Sequence, residues 1–68
     1  MDMPAVYEIR VEGIVDPRWS DWFDGLSVSA AGENETLIAG IVADQAALRG
    51  LLEKVWDLNL TLISVRRL

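Results

Sequence analysis

The stretch VADQAALRGLLEKVWDLNLTLISVRRL, Val42 to Leu68, decides the architecture, because it reads as one complete helix-then-strand unit. Asp44 stands where an N-cap is needed, and Leu48, Leu51, Leu52 and Val55 recur at the spacing that gathers apolar side chains on one helical face. Asn59 suits the left-handed residue that closes a helix, and Leu60 to Val65 is a β-rich run. Trp56 follows Val55 directly and so falls at the margin of the apolar stripe. There it either covers the core, which is the plainer role, or adds to a contact with a partner.

Upstream of this unit, Glu35 to Val42 is a strand with Leu37, Ala39 and Ile41 on one side and Thr36, Ile38, Gly40 and Val42 on the other. Both sides are apolar enough to need a cover. Ala31-Gly32-Glu33-Asn34 is a polar turn, and Leu26 to Ala30 alternates with Ser27 and Ser29, so the two runs make a hairpin. From Val6 to Glu12 the alternation is strict, with Tyr7, Ile9 and Val11 facing in and Glu8, Arg10 and Glu12 facing out. Asp16-Pro17 offers a cap followed by a proline suited to the first helical position, so a short helix is expected from Asp16 to about Asp24, ended by Gly25.

The expected order is strand, helix, strand, strand, helix, strand. Two right-handed βαβ crossovers in one sheet give an α+β, ferredoxin-like fold, with an antiparallel sheet of order 4-1-3-2 and both helices on one face. Should the short first helix fail to form, a four-stranded antiparallel sheet backed by one long helix is expected instead. Residues 1–68 read as a single domain, without repeats, linkers or low-complexity tracts.

Composition narrows the function. The chain has no histidine and no cysteine, which removes the commonest metal ligands, nucleophiles and neutral-pH bases, and with them disulfides. A net charge of −5 argues against sequence-independent nucleic-acid binding, which needs Lys and Arg to neutralise phosphates. No apolar run is long enough to span a bilayer, and Met1-Asp2-Met3-Pro4 lacks the basic start and apolar stretch of a signal peptide, so a cytoplasmic protein is expected. A chain of 68 residues that is 51% hydrophobic has more apolar surface than a small monomer readily hides, which predicts a homo-oligomer, most simply a dimer.

Two segments, DPRWSDWFDGLSV and the opening stretch with its ISVRR ending, resemble those of a group of small uncharacterised bacterial proteins. The resemblance covers Tyr7 to Leu68 and implies a free-standing soluble domain without supplying an activity. In outline the chain is also similar to ACT domains, regulatory modules that pair and bind amino acids near the first strand-helix loop. That likeness implies a ligand site around Gly13, Ile14, Asp16 and Arg18, with Trp19 beside it, although the loop lacks the Asp-Arg-Pro-Gly pattern of those domains.

The residues themselves offer three kinds of site. Trp19, Trp22 and Phe23 fall at i, i+3 and i+4 among Asp16, Asp21 and Asp24, either as rings that fill the core or as an acidic-aromatic hook for a basic, apolar groove on a partner protein. The three aspartates lack the loop of a cation site, and capping plus solvation explains them better; no catalytic residue, metal or cofactor is expected. Finally, Ile38, Val42, Leu60 and Leu62 are expected to line the sheet face opposite the helices and to pack against a second molecule, while Arg66 or Arg67 comes within reach of Glu8 across the sheet.

Overall fold

The computed structural model describes residues 3–68. Met1 and Asp2, which open the segment tested above for a signal peptide, lie outside the described residues. The elements are β1 (Ala5–Glu12), a 3-10 turn (Pro17–Asp21), β2 (Ser27–Gly32), β3 (Glu35–Val42), α1 (Gln45–Asp57) and β4 (Thr61–Arg67). All strand pairings are antiparallel and the sheet order is β2-β3-β1-β4. One α-helix backs this sheet, so the two-helix ferredoxin-like arrangement is not what forms.

Local chemistry explains the missing helix. Asp16 caps the turn by accepting a hydrogen bond from Arg18 N at 2.8 Å, and Pro17 follows at the first position, as the sequence suggests. The stop falls one residue before the expected Gly25, with Asp24 at φ 57° and Gly25 at φ 82°. Asp24 N donates to Asp21 O and Gly25 N to Ser20 O, the paired bonds of a Schellman stop. A segment so short cannot offset the cost of helix nucleation, and it tightens to three residues per turn.

The long helix obeys the same rules over a greater length. The Asp44 side chain accepts from Ala47 N at 2.8 Å. At the far end Asn59 has φ 60°, its N donates to Trp56 O at 2.8 Å, and Leu60 N donates to Val55 O at 3.1 Å, again a Schellman stop. Leu51 and Val55 are buried against the sheet, flanked by Ala47, Leu48, Leu52 and Leu58.

The core joins Tyr7, Ile9 and Val11 of β1 to Val28, Ile38, Val42, Phe23, Leu26, Leu51 and Val55. Register shows why Ile38 and Val42 belong to it: Ile38 is paired with Ile9, and Val42 with Ala5, so they share the helix-side face rather than the opposite one. Leu62 is paired with Val11 and lies on that face too, with Leu60 and Leu62 packed against the core. A register shift between Arg10 and Val11 leaves Ile63 as the extra residue of β4, which reverses the parity of the strand and turns Leu60 and Leu62 inward. The expected apolar outer face made from these four residues is therefore part of the interior. Gly40 lets Leu26 close onto the sheet, since a Cβ there would lie 3.0 Å from Leu26 Cγ.

Candidate interaction surfaces

The 3-10 turn divides its three rings. With three residues per turn, Trp19 and Trp22 come into line, while Phe23 points to another side. Phe23 is fully buried, whereas Trp19 and Trp22 are 43% and 39% exposed. The indoles meet edge to face, with centroids 6.2 Å apart and planes at 90°. One common face for all three, expected from a full helix, does not form.

Several contacts fix this pair in place. Lys54 of α1 reaches Asp24 at 2.9 Å and lies 5.7 Å from the centre of the Trp22 ring, tying the helix to the turn. Ser20 Oγ donates to Leu26 O at 2.7 Å, anchoring the turn to the chain that leads into β2. At its start, Arg18 pairs with Asp16 at 3.0 Å, and the hydrogen bonds from the Arg18 side chain and backbone hold the Asp16 carboxyl below its ordinary value. Asp21 is exposed, so the ring pair is bordered by carboxylates. Trp56, on α1, is 55% exposed and contributes little to the core.

The first strand-turn loop is arranged as structure. Gly13 N donates to Asn34 O, and Gly13 O accepts from the buried Thr36 hydroxyl at 2.7 Å. The same Thr36 oxygen accepts from Val15 N at 3.0 Å. Ile14 projects into solvent, while Asp16 and Arg18 engage each other. Sequence reasoning had no signal for Thr36 as the tie of this loop, beyond its being a polar residue on an otherwise apolar side of β3.

On the sheet face opposite α1, Glu8, Arg10, Leu37, Ser64 and Arg66 surround a hollow of about 190 Å³. Glu8 and Arg66 are direct cross-strand neighbours, the approach expected from the sequence. Ile41 and Val6, also paired, are exposed beside the polar part of this face. Among the described residues no group of three or more acidic side chains is placed to hold a metal ion, and no helix is long and apolar enough to cross a membrane.

No curated protein and no solved structure matches the chain. The family described as Domain of unknown function (DUF8691) matches residues 6–66, which takes in the aromatic turn, β2, β3 and α1 and all but the outermost residue of β1 and of β4. The chain belongs to that family.

Proposed function

We propose that this protein is a small, non-catalytic interaction module that docks a partner protein through Trp19 and Trp22. The observation behind this reading is the fixed, half-exposed indole pair on a turn whose third ring, Phe23, does the work of the core. Aromatic anchors dominate the energetics of many interfaces, and a ring already held in place loses little conformational entropy on binding. Of the carboxylates around the rings, Asp16 is paired with Arg18 and Asp24 with Lys54, so Asp21 alone favours a basic group on the rim of an otherwise apolar groove on the partner. The lack of histidine and cysteine supports a role without catalysis. A small-ligand site at Gly13, Ile14, Asp16 and Arg18 has less behind it, since the polar groups of that loop are spent on one another.

The test is an affinity capture from the native host with wild-type protein and the Trp22→Ala variant, both shown to be folded by circular dichroism. Proteins retained by the wild type and lost by the variant are the expected result. Identical recovery by both would refute the docking role of the ring pair.

A further inference from the structure

Strand register turns the open sheet face into a grid. In one row Glu8 lies between Ala39 and Arg66, with Ser27 beyond Ala39. In the next, Arg10 lies between Leu37 and Ser64, with Ser29 beyond Leu37. The outer rows pair Val6 with Ile41 at one end, and Glu12 with Glu35 and Thr61 at the other. Arg10 reaches Glu35 only at 3.8 Å, and among the described residues no ion pair holds Arg66. Both guanidinium groups line the hollow of about 190 Å³.

We propose that a second copy of the chain covers this face, related by a twofold axis that crosses the strands between the Glu8 and Arg10 rows. That operation lays each of the two central rows on the other. Glu8 meets the second copy's Arg10, Ala39 meets its Leu37, Ser27 meets its Ser29, and Arg66 meets its Ser64, each contact being made twice. The Glu8 carboxylate enters the second copy's hollow, where the two guanidinium groups lack a close partner. The outer rows follow the same operation, Val6 meeting the second copy's Glu12 and Ile41 its Glu35, so the charge match is confined to the two central rows, where Glu8 and Arg10 meet their opposites and Arg66 a serine.

The area sets the strength. Four strands of six to eight residues, ~4.8 Å apart at ~3.3 Å per residue, span roughly 450 Å² of flat face, below the standard size of a stable interface and in the range of weak, transient ones. The dimer is therefore weak, with dissociation in the micromolar range. It deepens the interaction reading but uses a surface separate from the indoles, so the Trp22→Ala variant dimerises like the wild type and the two proposals fail independently.

Sedimentation velocity from about 1 to about 500 μM tests it directly, the range bracketing a micromolar dissociation constant. A monomer–dimer equilibrium is expected, weakened at least about tenfold by Glu8→Arg, which sets like charges face to face, and restored by Glu8→Arg combined with Arg10→Glu. Amide NMR shifts of the wild type on dilution give a second readout that needs no variant, with changes expected at Leu37, Ala39 and Ser64. A monomer at every concentration, a dimer indifferent to Glu8→Arg, or dilution shifts confined to β4's outer edge or to Trp19 and Trp22 would overturn the proposal.

Discussion

Among the described residues Thr36 is the buried polar side chain of this core, and its single hydroxyl serves two backbone groups at once. It donates to Gly13 O and accepts from Val15 N, so it fixes the departure of the chain from β1 toward the aromatic turn. Thr36→Val preserves shape but leaves both backbone groups without their partner, at a cost of about 1–3 kcal/mol. Urea denaturation should show that loss for Thr36→Val and a much smaller one for Thr36→Ser, which keeps the hydroxyl. This tie was not legible in the sequence. A threonine among Leu37, Ile38 and Ile41 reads as an ordinary β-former, and its two partners, Gly13 and Val15, are distant in the chain.

At the scale of elements, caps and stops were the most legible features. Asp44 and Asn59 delimit α1 where their chemistry places them, and Asp16-Pro17 starts the 3-10 turn. The winding of that first element was not legible, because apolar spacing at i, i+3 and i+4 is the same pattern whether a segment completes two turns of α-helix or stops after one tight turn. The stop stands within a residue of where Gly25 announces it, with Asp24 taking the left-handed position, so the sequence marks the end of the segment but not the tighter winding before it. Within α1, Gly50 weakens a helix that is otherwise well specified, and a Cβ added there meets nothing within 4 Å. Gly50→Ala should therefore raise the unfolding free energy by up to about 1 kcal/mol, read from urea denaturation followed by far-ultraviolet circular dichroism. No gain would mean that the glycine has a role in the native state that packing does not reveal.

For the molecule as a whole, the four strands and the helix behind them could be read from alternation and periodicity, but which side of the sheet each residue faces could not. β3 is apolar on both sides, so its sequence leaves the parity open, and only its pairing with β1 places Ile38 against Ile9. In β4 the bulge at Ile63 inverts the alternation, a change that no local pattern announces. The consequence is a different distribution of apolar surface from that expected. The interior takes Ile38, Val42, Leu60 and Leu62, the open sheet face becomes largely polar, and the exposed large apolar groups include the indoles of Trp19, Trp22 and Trp56. A domain this small keeps those rings outside its core while Phe23 fills it, and that division of labour underlies the proposed docking role. It is tested most directly by the unfolding free energy of the Trp19→Ala/Trp22→Ala double variant measured beside Phe23→Ala. Loss of the buried Phe23 ring should cost about 3–5 kcal/mol and the double tryptophan variant about 1–2 kcal/mol; a loss for the tryptophan variant equal to that for Phe23→Ala would show that the pair belongs to the core and contradict the account.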